Sequence, residues 1–397
     1  MNTERLYYND SFLREFEARV ISCEPRGAQF EVVLDRTAFY PTSGGQPNDT
    51  GQLGNATVAD VTEREDGAIV HLTDLALEAG PVHGTIDWLR RFDHMQQHTG
   101  QHLLSAAFVE LFKMQTVSFH LGGESSTIDL AGASLSEDHA EAAERVTNQI
   151  IFGDRAIEMR YATREELAAA GVRKEVNREG VLRAVSVEKF DLQPCGGTHV
   201  ARTGQVGLVL LRKIERQKQN WRVEFVCGGR AMRAARADFA ALSEAARLLT
   251  CGQPDVPAML GKTLGERKQM HRSRQTLLGQ LASYEARELL QSAQCSTAEA
   301  PRVVRRVFDD ADAAYLRLLA TRLAAKPNVQ ALLASRSGGH VVFAQSPGLA
   351  ADMNTLLCEA LTAAGGRGGG SRDFAQGHLP DPARLPEILL GAASRLL

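Results

Sequence analysis

The sequence predicts an α+β protein built from four successive parts. Short β-rich runs alternate with turn signals near the amino end, an almost continuous helical pattern follows residue 230, and strands and helices alternate again from about residue 300. Between the β-rich amino end and residue 230, strand-like and helical runs occur in mixed order, which predicts an α+β core. The predicted parts are an N-terminal β-barrel, an α+β core, a helical linker and a C-terminal α/β domain, at residues 1–89, 90–230, 231–298 and 299–397.

The composition is that of an ordinary globular protein. Of 397 residues, 23% are charged, and the formal net charge is −3. No apolar run approaches the ~18 residues of a membrane span, and the polar start of the chain does not resemble a secretory signal. Six cysteines are too few for a disulfide framework. We therefore expect a cytoplasmic protein without a membrane partner, in which any nucleic-acid contact uses a local basic patch.

The predicted barrel rests on three strand-like runs and one long loop. Residues 18–24, 28–35 and 67–74 are rich in β-formers, and residues 36–53 are rich in Gly, Pro, Asn and Asp.

The predicted core begins with one long helix over residues 90–115, with Asp93 as its N-cap. Further strands and helices follow it: strands at 126–130 and 182–190, and helices at 136–151 and 163–172.

The second half of the sequence predicts a helical linker and then a compact domain. In the linker, Met270, Leu277, Leu281 and Tyr284 form a short seam like that of a coiled coil, and "CGQPDVP" interrupts the helical pattern. The C-terminal domain has strand-like runs at 302–310, 328–335 and 339–346, and "GGRGGGSRDFAQG" predicts a glycine-rich loop.

Histidines in "DHMQQHTGQH" stand four residues apart on the predicted long helix. His94, His98 and His102 share one helix face, and a pair at this spacing can bind one metal ion. His94 and His102 are about 12 Å apart along the axis, so both cannot bind the ion that His98 binds. Spacing alone leaves the partner of His98 open.

A second pair with the same spacing stands in "PCGGTH". Two glycines between Cys195 and His199 predict a tight turn, which can also bring two ligands together. One thiolate with imidazoles is a donor set that suits zinc. Each pair could arise by coincidence, but both together in a cysteine-poor chain indicate a zinc site.

Several motifs resemble those of one family. "HTGQHLL" and "CGGTHV" resemble the zinc signatures of the alanyl-tRNA synthetase editing domain and of its free-standing relatives, the AlaX proteins. "TAFYPTSGGQPNDTG" resembles the glycine-rich motif of the family's N-terminal barrel, and "WRVEFVCGGRA" resembles the end of its editing core. "GGGSRDFAQG" resembles the loop of the DHHA1 domain, the C-terminal domain of the synthetase. The resemblance covers nearly the whole chain.

The resemblance implies a deacylase that acts in trans. Because the sequence starts at the barrel, we expect the long, free-standing form without an aminoacylation core. The implied reaction is hydrolysis of the ester that joins serine or glycine wrongly to tRNA(Ala). The family's motif implies Zn²⁺ held by four side chains: His98, His102, Cys195 and His199. Four protein ligands are typical of structural zinc, whereas catalytic zinc usually keeps an open position.

Two residues of the predicted barrel are candidate catalytic residues. Gln46, in "SGGQ", would orient water or the terminal ribose; Gly-Gly-Gln also occurs in peptide release factors, which nothing else here resembles. Thr37 occupies the position of a family threonine associated with recognition of the serine hydroxyl. The alternatives are a surface glutamine on a glycine turn and a simple turn threonine.

Two basic stretches are candidate tRNA contacts. "LRKIERQKQNWR" contains Arg212, Lys213, Arg216, Lys218 and Arg222, although a solvated strand and turn would look the same. In the C-terminal domain, the candidates are Arg367 and Arg372. That domain is expected to hold the tRNA body and is also a candidate surface for a homodimer.

Two other functions are alternatives for this sequence. A non-enzymatic, zinc-stabilised tRNA-binding protein would share every motif. A phosphodiesterase is disfavoured, because the chain lacks a DHH motif and an aspartate cluster.

Overall fold

The chain forms two compact units, Met1–Glu244 and Ala245–Leu397. The computed structural model describes residues 3–173, 180–293 and 300–396. The division between the units falls inside a helix, and the last boundary of the expected four-part organisation, at 298–299, lies outside the described residues. That organisation therefore stays a prediction.

The first unit begins with the β-barrel, which confirms this part of the predicted fold. Its strands are β1 (Glu4–Arg5), β2 (Glu15–Arg26), β3 (Gln29–Leu34), β4 (Arg36–Thr37), β5 (Gly51–Leu53), β6 (Ala56–Glu63), β7 (Ile69–Thr73) and β8 (Gly80–Ile86). Six of them close in the order β2-β3-β7-β6-β5-β8, while β1 and β4 form a short parallel pair. Alternate residues of β2, such as Phe16, Ala18 and Val20, fill the barrel because successive side chains point to opposite faces.

The rest of the first unit is the mixed core that the sequence predicts. Its elements are α1 (Trp88–Phe112), β9 (Thr116–Leu121), β10 (Ser126–Ala131), α2 (Glu137–Phe152), β11 (Ile157–Thr163), α3 (Arg164–Ala169), β12 (Val181–Val187), β13 (Asp191–Pro194), β14 (Val209–Gln217) and β15 (Asn220–Cys227). They form a four-stranded sheet, β14-β15-β10-β9, and a three-stranded sheet, β11-β12-β13. Apolar residues of α1, including Leu103, Leu104 and Phe108, pack into the same core as both sheets.

The start of α1 corrects one prediction. Asp87 is the N-cap, and its side chain accepts a hydrogen bond from the Arg90 amide at 3.2 Å. Asp93, which was the predicted cap, lies inside the helix and pairs with the buried Arg230. Both aspartates stand before an apolar repeat, so the local sequence could not distinguish a cap from the partner of a distant arginine.

The second unit begins inside one long helix and contains a second long helix and an α/β domain. Helix α4 (Gly228–Leu249) spans the division between the units, and a break over residues 250–255 separates it from α5 (Val256–Gln291). The remaining elements are β16 (Arg302–Phe308), α6 (Ala313–Ala324), β17 (Val329–Ser335), β18 (His340–Gln345), α7 (Met353–Thr362), β19 (Arg367–Gly370), β20 (Phe374–His378) and α8 (Leu385–Ala393). The five strands form one sheet in the order β16-β17-β18-β20-β19.

The predicted glycine-rich loop of the C-terminal domain is instead a β-hairpin. Strand β19 pairs antiparallel with β20, and its residues are all exposed at the sheet edge. The pairing is close enough that a side chain on Gly370 would collide with the backbone of Phe374. Glycine therefore serves here for close approach of two strands, which composition alone does not distinguish from a loop.

Among the described residues, no helix combines the length and the apolar character that crossing a membrane requires.

Candidate metal centre

Four potential metal donors lie together in the first unit. His98 and His102 extend from α1, and Cys195 and His199 lie in the loop after β13, with all four donor atoms within 4.8 Å of one another. The Cys195 Sγ atom is 3.4 Å from Nε2 of His98 and 3.3 Å from Nε2 of His199. Around a tetrahedral zinc, such donors are separated by about 3.3–3.6 Å. The donor set and its spacing therefore fit one zinc-sized ion.

His94 does not belong to this group. It lies one turn before His98 on α1 and is buried, and its Nδ1 has no hydrogen-bond partner in the described part of the chain. The choice that spacing left open is therefore decided by the tertiary structure, which places His102 and not His94 beside His98 and the loop.

The loop that carries Cys195 and His199 is held in place by Arg183. Its Nη1 atom donates to the carbonyl oxygens of Cys195 at 2.6 Å and Gly197 at 3.0 Å. A Cβ on Gly197 would collide with the imidazole of His98, so only glycine lets the loop approach α1 this closely.

Gln46 is buried behind His98. Its Oε1 atom accepts from Nδ1 of His98 at 2.7 Å and from the Thr198 amide at 3.2 Å, while its Nε2 donates to the Thr198 hydroxyl at 2.9 Å. These contacts require the proton of His98 on Nδ1, which leaves Nε2 free to bind a metal. Both polar atoms of the Gln46 side chain thus have hydrogen-bond partners, and the buried residue does not line the cavity described below.

The turn before Gln46 explains why its motif contains two glycines. Ser43 and Gln46 exchange two backbone hydrogen bonds, at 3.1 and 2.9 Å, across Gly44 and Gly45. Both glycines have positive φ, 53° and 82°, as a type I′ turn requires. The turn reverses the chain and carries Gln46 inward.

The other two histidines have different partners at Nδ1. Thr99 Oγ1 lies 3.1 Å from Nδ1 of His199. Asp191 Oδ2 lies 3.7 Å from Nδ1 of His102, which is too long for a hydrogen bond but close enough for a charge interaction. Arg173 pairs with the same carboxylate at 2.8 Å. The three imidazoles are therefore oriented by an amide, a hydroxyl and a carboxylate.

These charges shift the protonation of the donors. Burial alone would raise the pKa of the Cys195 thiol, but the three neighbouring imidazoles lower it well below its usual value. Burial opposes the charged form of His102, yet the Cys195 thiolate and Asp191 outweigh it and raise its pKa to about 9. Burial lowers the pKa of His199 to about 3. A thiolate is the form of cysteine that binds metal.

A cavity of about 430 Å³ gives access to the donors from one side. His98, His102 and Cys195 line it, and His199 does not, so His199 lies on the far side of the donor group. The remaining walls include Tyr40, Gly44, Gln101, Ser118 and Phe119. A more open groove of about 600 Å³ on the other side of Asp191 contains none of the four donors, and we therefore place the chemistry in the smaller cavity.

Thr37 is placed away from this cavity. It lies in β4, is fully buried, and its hydroxyl contacts Nε2 of His71 at 2.8 Å and the Phe39 amide at 3.1 Å. The Thr37 hydroxyl therefore already has hydrogen-bond partners within the barrel. Recognition of a serine hydroxyl by Thr37 stays a prediction.

The basic residues predicted to contact tRNA are mostly paired. Arg212 forms an ion pair with Asp238, Lys213 with Glu215 at 2.5 Å, and Arg222 with Asp129 at 2.8 Å. Arg216 donates to the carbonyls of Gly132 and Ala133, and Arg372 to those of Leu349 and Ala350. Lys218, at the β14–β15 turn, and Arg367, at the start of β19, are exposed.

The residues that support the donors were not predicted from the sequence. Thr99 stands inside "HTGQH" and could have been found from that motif. Asp191, Arg173 and Arg183 have no local signal, because each acts on a partner that is distant in the chain.

Three family profiles match the chain. "Threonyl and Alanyl tRNA synthetase second additional domain" matches residues 182–224, "tRNA synthetases class II (A)" matches residues 6–90, and "DHHA1 domain" matches residues 300–396.

Individual relatives match over nearly the full chain. The alanyl-tRNA editing protein AlaX-L of Pyrococcus horikoshii is 30% identical over 99% of this chain and 98% of its own length. The alanyl-tRNA editing protein Aarsd1 of Mus musculus is 29% identical over 96% and 95%. The alanine–tRNA ligase of Pyrococcus abyssi is 33% identical over 98% of this chain but only 43% of its own length, so the chain spans less than half of that enzyme.

Proposed function

The chain belongs to the family of alanyl-tRNA editing proteins, and from this premise we propose that it is a deacylase of mischarged tRNA(Ala). Its substrate would be tRNA(Ala) esterified with serine or glycine, and the bond broken is the ester between the amino acid and the terminal ribose. The observation that carries the proposal is the group of four donors, His98, His102, Cys195 and His199, at one wall of an open cavity.

Zn²⁺ is the proposed ion, because one thiolate and three imidazoles at these separations match its preferences. Zinc in such a site supplies a Lewis acid, which polarises a carbonyl or activates a water.

The protein side chains would do the rest by positioning. Gln46 holds the imidazole of His98 from behind, and Asp191 and Thr99 do the same for His102 and His199. The cavity walls, including Tyr40 and Phe119, would restrict which acyl groups enter. We propose that Gln46 acts through His98 and does not touch the substrate, which differs from the catalytic role expected from its motif.

The second candidate is a zinc-stabilised tRNA-binding protein without catalysis. A complete set of four protein donors favours it, because structural zinc sites are usually closed. The two candidates differ in one measurement: single-turnover deacylation of Ser-, Gly- and Ala-tRNA(Ala) by the zinc-loaded protein, with Cys195→Ala as the inactive control. Hydrolysis of the Ser or Gly ester with sparing of the Ala ester supports the enzyme. Tight tRNA binding without hydrolysis of any ester supports the non-catalytic tRNA-binding protein.

We also propose that the protein works in the cytoplasm, where its tRNA substrate is found, and that it forms a homodimer through its second unit. The seam on α5 supports the dimer, since Met270, Leu277, Leu281 and Tyr284 are between 52% and 71% exposed. Sedimentation equilibrium of Leu277→Glu/Leu281→Glu against the parent chain tests it. A monomeric parent chain at micromolar concentration would contradict it.

A further inference from the structure

A cleft in the second unit is lined by four basic side chains and, among the residues that the structure describes, by no acidic one. Its volume is about 410 Å³, and it lies between the last turns of α5, the start of β16 and the end of α6. The basic residues are Arg287, Arg302, Arg322 and Lys326. Ser283 and Gln291 add polar groups to the wall.

These four side chains differ from the basic residues that the sequence singled out. All four are exposed, and within residues 300–396 and the described part of α5 none of them forms an ion pair with a carboxylate. By contrast, Arg212, Lys213 and Arg222 each have an acidic partner. Arg287 lies 5.7 Å from the ring centre of Tyr284, a contact that leaves its charge uncompensated.

Stabilisation of a helix end accounts for only part of this arrangement. Arg322 lies in the last turn of α6 and Lys326 follows it, where the helix dipole favours cations. Arg287 and Arg302 come from a different helix and from a strand, so the dipole of α6 does not explain why they meet the other two. A concave site lined by one sign of charge concentrates its field and attracts the opposite charge.

We propose that this cleft binds phosphate groups of an RNA backbone, and that the RNA is the body of the tRNA. The described residues that line the cleft are basic, polar or aliphatic and include no aromatic ring, so they suit phosphates and not a base. The identity of the RNA rests on the proposed function. The cleft, and not the sequence-predicted stretch at 211–222, is then the main electrostatic contact.

The test measures binding of non-acylated tRNA(Ala) by the full chain across a range of salt concentrations. Arg322→Gln/Lys326→Gln removes two charges from exposed positions. We expect at least tenfold weaker binding near 100 mM salt and a salt slope that is smaller by about 1.4–1.8, the share of two phosphates. Arg322→Lys/Lys326→Arg keeps both charges and should bind like the parent chain.

A matched control removes the same charge elsewhere in the second unit. Lys262 and Arg395 each pair with a carboxylate, Glu266 and Glu359 respectively. The variant Lys262→Gln/Arg395→Gln should bind within about twofold of the parent chain. If the control loses as much tRNA affinity as the cleft variant, the overall charge of the protein and not the cleft determines binding, and the proposal is wrong.

Two further outcomes also overturn it. The first is unchanged tRNA affinity and salt slope in the cleft variant. The second is ATP binding that the cleft substitutions abolish while tRNA binding persists, which would make the cleft a nucleotide site. Hydrolysis of a serylated acceptor-stem minihelix by the parent chain tests the proposed function separately, because that substrate lacks the tRNA body. If the parent chain does not hydrolyse the minihelix, the proposed deacylase function is wrong. Measurements of tRNA affinity alone then decide whether the cleft binds RNA.

Discussion

At the scale of single residues, the most informative side chain is Gln46, whose two polar atoms are both hydrogen-bonded within the protein. Gln46 is fully buried. Its side-chain oxygen accepts a hydrogen bond from His98, and its amide nitrogen donates one to Thr198. A residue in this place affects chemistry by orienting a ligand of the metal.

Gln46→Ala should therefore lower zinc affinity about 10- to 100-fold, the usual cost of losing such a partner. Gln46→Glu keeps an acceptor for Nδ1 of His98 and should lose less. Competition with a coloured chelator measures both, with Gln52→Ala, an exposed glutamine, as the control. Normal zinc affinity combined with lost deacylation in Gln46→Ala would instead support direct action on the substrate.

Thr37→Val removes a hydroxyl that serves His71 and the Phe39 amide. Leaving these buried groups unpaired should cost about 1–3 kcal/mol of stability, and Thr37→Ser should restore most of it. Because the hydroxyl is occupied inside the barrel, we expect any loss of activity to be equal on Ser- and Gly-tRNA(Ala). A loss confined to the Ser ester, about tenfold to a hundredfold, would establish Thr37 as the reader of the serine hydroxyl.

At the scale of elements, the fully buried pair Arg91–Asp49 connects α1 to the loop that carries Gln46. Arg91 Nε lies 3.0 Å from both carboxylate oxygens of Asp49, and Nη1 donates to the Ser11 carbonyl at 3.0 Å. The loop supplies Gln46 and α1 supplies His98 to the same site. The Arg91–Asp49 pair therefore also fixes the geometry of the donors.

Arg91→Met should destabilise the protein by about 3–5 kcal/mol, because it leaves the Asp49 charge buried without a partner. Arg91→Met/Asp49→Leu removes both charges and should recover part of this loss. Urea unfolding compares them, with Arg64→Met as the control, since Arg64 and Asp66 pair at the surface. If the double variant is no more stable than Arg91→Met, the pair does not act as proposed.

The barrel should lose stability in acid through His71. Burial of this histidine, at 0% exposure, lowers its pKa to about 4 from the usual 6.5. The unfolded chain then binds the proton first, so stability is full above pH 6.5 and falls as the pH drops toward 4. From pH 7.5 to 4.5 the contribution is about 2–3 kcal/mol.

Substitution of His71 by Asn should flatten this pH dependence, and substitution of the exposed His120 of the same unit by Asn should not. Urea midpoints of the first unit at several pH values give the comparison. An unchanged slope in His71→Asn would assign the acid sensitivity to other buried groups, of which His94 is the first candidate because burial lowers its pKa to about 4 as well.

At the scale of the whole molecule, the two units are expected to divide the work. The donors and their cavity belong entirely to the first unit, and the basic cleft belongs entirely to the second. Contacts to the tRNA body would raise affinity for substrate, whereas we expect the chemical step to depend on the first unit alone.

Truncation after Thr250 should therefore raise the Kd for tRNA more than it lowers the single-turnover rate at saturating substrate. Filter binding and rapid quench measure the two quantities, and a serylated minihelix should be hydrolysed at similar rates by the full and truncated chains. If the truncated chain keeps full tRNA affinity, the second unit serves association between copies and not tRNA capture.

The fold could be predicted from the sequence wherever the signal was local. Strands β2, β3 and β7, the helical stretch that forms α4 and α5, and strands β16, β17 and β18 follow from hydrophobic period, β-propensity and turn residues. The helix cap at Asp87 and the hairpin at β19 could not be predicted, because an aspartate or a glycine run has several local uses that only its distant neighbours distinguish.

The sequence by itself determined which residue types form the candidate site: two pairs at i, i+4 and a donor set suited to zinc. Spacing left open whether His94 or His102 completes the group; the family resemblance implied His102, and the tertiary structure places His102 there. The tertiary structure alone decided that Gln46 and Thr37 face inward and that Asp191 supports His102. It also decided which basic side chains form ion pairs with carboxylates and which lie together in the cleft of the second unit. The reason is physical: spacing along a helix or turn sets local direction, whereas hydrogen bonds, ion pairs and burial depend on residues brought together only by folding.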